Sequence, residues 1–381
     1  MIKRKVRVAV AILLLLSILL PVFPTADVSA STIEFPGISA ARAVLMEAET
    51  GKILYGKNEQ EPAAMASTTK IMTALLTLEA AAQSDDVVEI TQEMAGVEGS
   101  SLGLQAGWKI TLSNLAAGML TVSGNDAAFS AAVYLAGSEA AFAERMNERA
   151  AEIGMTDTCF VTASGLDEGD HHSTALDMAR LAAVALENPA FLEIASQTSY
   201  PVSFVEPEKT VQLTNHNKLL SQVEGCIGVK TGYTEKAGRC LVSAVERDGV
   251  RLICVTLDAP NDWDDHAALY EAAFSSVQKV LLEDTQWPCT LPVVGGEQQT
   301  VELNWDIPPQ VTVLGDEKIS YKIFGPAFVY APVEEGQVVA WVKWYVDDRE
   351  MGTLPIQAAQ TVGIQAKEKT GLQKWLWLFG F

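Results

Sequence analysis

Three short groups of residues in this chain could do chemistry together: Ser67-Thr68-Thr69-Lys70, Ser123-Gly124-Asn125 and Lys230-Thr231-Gly232. A serine hydroxyl is a weak nucleophile until a base takes its proton. Pro62-Ala63-Ala64-Met65-Ala66 leads into a pattern in which Ile71, Leu75 and Leu78 recur at helical spacing, so Ser67 falls at a helix start. Lys70 follows at i+3 on the same face, which puts an amine within reach of the hydroxyl. The positive end of the helix favours negative charge developing there. The chain has four histidines and no evident Ser-His-Asp arrangement, so Lys70 is the candidate base. An amine acts as a base only when neutral. Burial, and a second cation such as Lys230, would both lower its pKa.

Ser123-Gly124-Asn125 follows a helical stretch and reads as a loop, with Gly124 permitting a tight turn. Beside Ser67 and Lys230, the expected roles are proton relay to a leaving amine for Ser123 and a hold on a substrate amide for Asn125. Lys230-Thr231-Gly232 ends a strand. A glycine there lets an extended peptide pair along the strand edge, while Lys230 attracts a terminal carboxylate. As an ordinary lysine, titrating near ~10.4, it would do so at any usual pH. Each motif alone is weak: Ser-x-x-Lys is often an ordinary helix start, and Ser-Gly-Asn an ordinary loop. In this order and combination they resemble the penicillin-recognising serine acyl enzymes.

These residues need a scaffold. Residues 39–57 read as a hairpin turning at Glu49-Thr50-Gly51. Ser67 to about Ala82 is helical, and alanine-rich helical stretches dominate from Leu112 to about Glu187. Strands follow at Ile227–Thr231, Cys240–Val245 and Leu252–Leu257, and Leu269–Glu283 reads as a closing helix. The expected fold is an α/β domain with helices packed on an antiparallel sheet. After Trp287-Pro288 the chain becomes Val-rich with Gly- and Pro-bearing turns, including candidate strands at Pro292–Gly296 and Val338–Val342. A small all-β domain without catalytic constellations is expected there.

The two ends carry different signals. Lys3, Arg4, Lys5 and Arg7 precede an apolar run from Val8 to Leu20, and Val28-Ser29-Ala30 is a small-residue cleavage site. This is an export signal at 1–30, with a mature start at Ser31. At the other end, Leu372, Trp375, Leu376 and Phe379 form an apolar stripe beside Lys367, Lys369 and Lys374, suited to a membrane interface rather than to a span.

The chain has a net charge of −21 over 381 residues, and its leader is basic, so the mature part is more acidic still. With no basic patch, nucleic acid is not an expected partner. Five cysteines leave at least one unpaired, in a spacing that is not metal-like. Asp248-Gly249 should make a two-residue turn that sets Cys254 opposite Ser243, facing away from Cys240. Buried free thiols are expected.

Around the three motifs the resemblance narrows to the exported D-alanyl-D-alanine carboxypeptidases, the low-molecular-mass penicillin-binding proteins. It rests on Pro62-Ala63 through Ser67–Thr73, Ala163-Ser164-Gly165-Leu166, Ala175–Ala179, Asn215-His216-Asn217-Lys218-Leu219-Leu220 and Gly228–Thr234. It implies a β-lactamase-like transpeptidase domain over 31–285, a small β domain over 286–362 and a membrane-anchoring tail over 363–381. It also implies an acylated Ser67, Lys70 as base, and an oxyanion hole from the backbone N–H groups of Ser67 and Tyr233. Lys230, Thr231, Gly232 and His216 would bind substrate, with no metal and no cofactor. The implied partners are stem peptides ending in D-Ala-D-Ala, β-lactams and the outer face of the cytoplasmic membrane.

Two positions depart from the family pattern. His216 stands where the family often has Arg, so carboxylate binding should gain from its protonation as pH falls toward 6. Tyr233 replaces the His of some members, but its amide serves equally. Three other readings stay open. A serine β-lactamase would need a deacylating Glu, with Glu168 as the nearest candidate. A zinc peptidase would use His171, His172 and Asp177, although paired loop histidines are more often solvated. A non-catalytic wall-binding protein would not need Ser67 and Lys70 together.

Overall fold

The computed structural model describes residues 33–280, 289–305, 311–315, 317–347 and 349–366. The export leader, the Trp287-Pro288 break and the Leu372–Phe379 stripe lie outside them. Two compact units divide the chain, one of them Ile33–Ser276.

In that unit β1 (Arg42–Glu47) and β2 (Ile53–Lys57) form the expected hairpin, and a 3₁₀ turn, Ala66–Thr69, runs into α1 (Lys70–Gln83). Next come β3 (Val87–Glu89), α2 (Gln92–Ala95), β4 (Lys109–Thr111), α3 (Leu112–Thr121), α4 (Asn125–Ala136), α5 (Glu139–Ile153), α6 (Ala175–Glu187) and α7 (Pro189–Ala195). The chain then forms β5 (Ser199–Glu206), β6 (Lys209–Thr214), α8 (Leu219–Gln222), β7 (Cys226–Thr234), β8 (Gly238–Arg247), β9 (Val250–Leu257) and α9 (Asp262–Phe274). Side-chain caps set several helix starts: Ser138 accepts from the Ala141 amide, Thr174 from Asp177, and Asn188 from Ala190 and Phe191. Each such cap contributes about 1 kcal/mol.

The main sheet has the order β2-β1-β9-β8-β7, antiparallel throughout, which leaves β7 as an edge strand. Asp248 (φ 53°) and Gly249 (φ 81°) are both left-handed, as a two-residue hairpin turn requires. Ser243 consequently pairs with Cys254, as the sequence predicts. Val242, Ala244, Ile253 and Val255 pack into the core that also holds Ile71, Met72, Leu75 and Met178. Ser243 alternates to the other face, where its hydroxyl meets Tyr270 of α9 at 2.8 Å and His266 at 2.7 Å. The sheet is therefore covered by helices on both faces. Cys159, Cys226, Cys240 and Cys254 are unbridged thiols, and the last two are buried.

Two elements differ from the sequence reading. The closing helix is Asp262–Phe274, not Leu269–Glu283, and a strand, β10 (Val277–Val280), follows it. Asp262, Asp264 and Asp265 crowd the first turn of α9, where carboxylates suit the helix dipole. The second difference is a four-stranded sheet, β3-β4-β5-β6, that the sequence did not announce. Its first two members are three residues long, too short to show a period.

The second unit is all-β. It contains β10, β11 (Thr290–Val294), β12 (Thr300–Trp305), β13 (Val311–Leu314), β14 (Ile319–Phe324), β15 (Val329–Tyr330), β16 (Val338–Val346) and β17 (Arg349–Ala358). Six of these form one sheet, β14-β16-β17-β12-β11-β15, and β10 pairs with β13. Val301, Val342, Trp344, Ile356 and Val362 form its core.

Candidate active site

The nucleophile sits on a strained approach. Ala66, the residue before Ser67, takes a left-handed φ of 48°, costly for a residue with a Cβ. Side chains of the following turn hold it in place. Thr68 Oγ1 donates to the Met65 carbonyl at 2.6 Å and Thr69 Oγ1 to the Ala66 carbonyl at 2.8 Å. Behind them, Gly165 takes φ 82°, and a Cβ there would lie 2.0 Å from the Ala66 oxygen. Only glycine lets these two loops meet. Ser67 itself is half-buried and reachable, whereas Lys70 is fully buried.

The Lys70 ammonium nitrogen has three partners: Ser67 Oγ at 2.9 Å, Asn125 Oδ1 at 2.7 Å and the Ser164 carbonyl at 2.7 Å. Burial and then the Lys230 charge push the Lys70 pKa well below that of an ordinary lysine, against a smaller opposing pull from Asp126. The two carbonyl oxygens can only accept. When Lys70 is neutral they hold its two N–H bonds, and its lone pair faces the Ser67 hydroxyl. This arrangement is a serine paired with its base.

The second motif closes the cage from α4. Asn125 Nδ2 donates to the Glu98 carbonyl at 2.7 Å, which fixes the amide so that Oδ1 faces Lys70. Contrary to the sequence expectation, the tight turn falls on Ser123, at φ 61°, and not on Gly124. Gly124 is needed for close approach: a Cβ there would sit 3.0 Å from the Leu102 amide. Asp126, which sequence reasoning passed over, is buried and accepts from the Leu102, Gly103 and Leu104 amides and from Ser101 Oγ. It ties the loop before β4 to the helix that carries Asn125. Its signal was its position next to Asn125 in the first helical turn.

The third motif lies on the edge strand β7. Gly232 is again a close approach: a Cβ would be 3.0 Å from the Ser67 amide nitrogen and 3.1 Å from the Met65 oxygen. This brings the Ser67 N–H alongside the Gly232-Tyr233 backbone. Tyr233 projects outward, 66% exposed. Lys230 is buried and donates to the Thr231 carbonyl at 2.8 Å. Burial pushes its pKa down to about 7, so the expectation of a constant charge at any usual pH is corrected. The His216 amide donates to the Thr121 carbonyl at 3.2 Å, just before Ser123. Partial burial and then the Lys230 charge hold the His216 ring below its ordinary value.

The alternative residues are arranged differently. Glu168 is exposed. His171 is buried, not solvated: Nδ1 accepts from the Val161 amide at 2.9 Å, so Nε2 carries the proton and donates to Thr69 Oγ1 at 2.8 Å. Burial holds this ring neutral, with a pKa of about 4. Asp177 is taken by Arg180, Thr158 and the Asp157 amide. Among the described residues no group of His, Cys, Asp and Glu side chains is placed to hold a metal ion.

With this geometry in view, the chain was compared with known proteins. Residues 29–261 match the peptidase S11 family, D-alanyl-D-alanine carboxypeptidase. The chain belongs to that family. Among its relatives, the D-alanyl-D-alanine carboxypeptidase DacF of Bacillus subtilis is 32% identical over 332 residues, 84% of this chain and 85% of DacF. The solved penicillin binding protein 5 of Haemophilus influenzae superposes with a TM-score of 0.63 at 26% identity, covering 87% of this chain and 99% of that one. The solved carboxypeptidase DacD of Francisella tularensis gives 0.61 at 27% identity, covering 90% and 97%. The family match spans most of the mixed α/β unit, and the likeness to the two solved structures extends beyond it.

Proposed function

We propose that this protein is a serine D-alanyl-D-alanine carboxypeptidase that removes the terminal D-alanine from peptidoglycan stem peptides through a Ser67 acyl-enzyme. The observation that carries the reading is the Lys70 amine, 2.9 Å from Ser67 Oγ, buried and depressed in pKa with its other two partners both acceptors. Neutral Lys70 takes the Ser67 proton as Oγ attacks the scissile carbonyl. The amides of Ser67 and Tyr233 stabilise the oxyanion. The departing D-alanine amine takes its proton by way of Ser123, and Asn125 steadies the substrate amide. Water then releases the shortened peptide. The substrate pairs along the open edge of β7, and its terminal carboxylate lies at Lys230, Thr231 and Gly232, with His216 nearby. Penicillins acylate the same Ser67.

The enzyme acts on the cell wall. Export through the 1–30 leader and retention by the 363–381 tail would place it on the outer face of the cytoplasmic membrane, with catalysis in 31–285 and the 286–362 domain as spacer. The basic-then-apolar leader and the Trp- and Lys-bearing tail support this. No helix among the described residues is long and apolar enough to cross a membrane. Fluorescent penicillin and D-alanine release test the centre of the proposal: Ser67→Ala should lose both while remaining folded, and retained labelling would refute it. Truncation after Lys369 tests the tail, which is structural if both forms partition equally onto liposomes.

A further inference from the structure

The peptide that joins Ala66 to Ser67 has two ends with different work. Its nitrogen is the Ser67 amide, one of the two oxyanion donors in the reading above. Its oxygen is the Ala66 carbonyl. A trans peptide is planar, so these two groups point in opposite directions and turn together. Whatever holds the Ala66 carbonyl therefore aims the Ser67 N–H. With Ala66 at a left-handed φ of 48°, the backbone does not favour that orientation by itself.

Thr69 and His171 supply the hold. Thr69 Oγ1 gives its one proton to the Ala66 carbonyl at 2.8 Å. Its lone pair accepts from His171 Nε2, also at 2.8 Å. The direction is fixed on the far side of the ring. There Nδ1 accepts from the amides of Val161 at 2.9 Å and Thr162 at 3.3 Å, so the proton of the neutral imidazole is on Nε2. The ring is 4% exposed and its pKa is about 4, held down by burial, so the polarity of the relay persists at neutral pH. Val161 and Thr162 open the loop that presents the Ser164 carbonyl to Lys70 at 2.7 Å. Gly165, next in that loop, closes onto the Ala66 oxygen. One ring thus touches the loop that holds the base and the turn that carries the nucleophile.

We propose that His171 is a positioning residue: through Thr69 Oγ1 it locks the Ala66 carbonyl, and so aims and polarises the Ser67 N–H toward the oxyanion. Donors in series, N–H to O–H to carbonyl, strengthen one another. The last carbonyl is conjugated with the Ser67 N–H through the amide bond. The inference rests on the acyl-enzyme reading above. The Ser67 N–H matters most when charge develops on the substrate oxygen, so loss of the relay falls on kcat rather than on KM.

The test uses the full-length protein, an acetylated peptide ending in D-Ala-D-Ala for kcat and KM, a fluorescent penicillin for the acylation rate, and thermal melting. Thr69→Val keeps the shape and removes the relay. His171→Asn keeps an acceptor near the Nδ1 position for the Val161 amide but does not reach Thr69. Each should lower kcat and the acylation rate by ~10-fold with KM nearly unchanged, since misaiming a donor costs less than the ~10²–10³-fold of removing one. Thr69→Ser restores the hydroxyl and should recover the parental kcat. His171→Gln places an amide nitrogen near the Nε2 position and should recover most of it. A parental kcat in Thr69→Val or His171→Asn overturns the relay. So does a Thr69→Ser variant as impaired as Thr69→Val, or a loss that follows the melting temperature through all four variants, as a packing role would give. Should Thr69→Val or His171→Asn not fold, Thr69→Ser and His171→Gln decide: near-parental kcat supports the relay, and a ~10-fold loss in both overturns it. A parent that takes no penicillin label and releases no D-alanine overturns the catalytic reading. A parent that does both and tolerates loss of the relay overturns this inference alone.

Discussion

The two units bury different things. In Ile33–Ser276 the interior holds Lys70, Asp126, Asp177, Lys230, Asp262 and Asp265, whereas the all-β unit buries no charged side chain among its described residues. Burying a charge costs several kcal/mol unless it is paired or hydrogen-bonded. The carboxylates of the first unit meet that condition: Asp262 holds Arg239, Asp177 holds Arg180, and Asp265 accepts from Ser39 and Ala40. The two buried lysines have no salt-bridge partner among the described residues, and their pKa values fall instead. A satisfied buried anion is architecture here, and a buried cation held by neutral acceptors without a counter-ion marks the chemistry.

The sharpest way to break that contrast is to remove the chemistry and keep the architecture. Ser67→Ala should lower D-alanine release by at least ~10³-fold with an unchanged melting curve. Lys70→Arg keeps the charge but cannot lose it, so acylation by penicillin should slow by ~10²–10⁴-fold. Near-normal acylation in that variant would show that a neutral amine is not required.

The two lysines should also separate by pH. On the acid side, kcat/KM should rise with pH as Lys70 loses its proton. Above pH about 7 it should fall, because Lys230 loses the charge that holds the carboxylate. Bound substrate shields that charge, so the alkaline fall should appear in KM before kcat. Lys230→Arg should flatten the alkaline limb of KM; an unchanged limb would assign it to another group.

Trp344→Ala in the β unit should destabilise that unit by about 3–5 kcal/mol while penicillin still labels Ser67. Gly352→Val should act in the same direction, since a Cβ there would lie 2.3 Å from the Trp344 ring. Loss of labelling in both would show that the units do not divide the work as described. The smallest effect belongs to His216→Arg, expected to lower KM a few-fold where the imidazole is neutral and progressively less as falling pH protonates it. Parallel KM profiles for parent and variant would remove His216 from carboxylate recognition.

Much of this was legible in the sequence because the relevant signals are local. Ser67 and Lys70 are one turn apart, Asp248-Gly249 dictates its own turn, and the β7–β9 meander follows. What was not legible depends on distant partners. The Ser164 carbonyl that holds Lys70 lies 94 residues away, and the amides held by Asp126 lie 22 to 24 residues before it. Gly124 is spent on its close approach to Leu102 while the left-handed turn falls on Ser123, a division that no dipeptide preference encodes. The depressed Lys230 follows from its burial, which the motif alone does not reveal.

The unbridged thiols have a consequence for the proposed export. An oxidising surrounding makes every reactive cysteine a route to cross-linking or sulfenic acid. Burial raises Cys226 to about 11 and Cys240 to about 12, and pushes Cys254 well up. Only the thiolate reacts, and at neutral pH Cys240 presents roughly one in 10⁵ molecules in that form. Cys240, whose Sγ lies 3.8 Å from the Ala64 carbonyl beneath the nucleophile's lead-in, is therefore chemically silent where an exposed thiol would be a liability. The fold keeps it reduced by denying it charge rather than by giving it a partner.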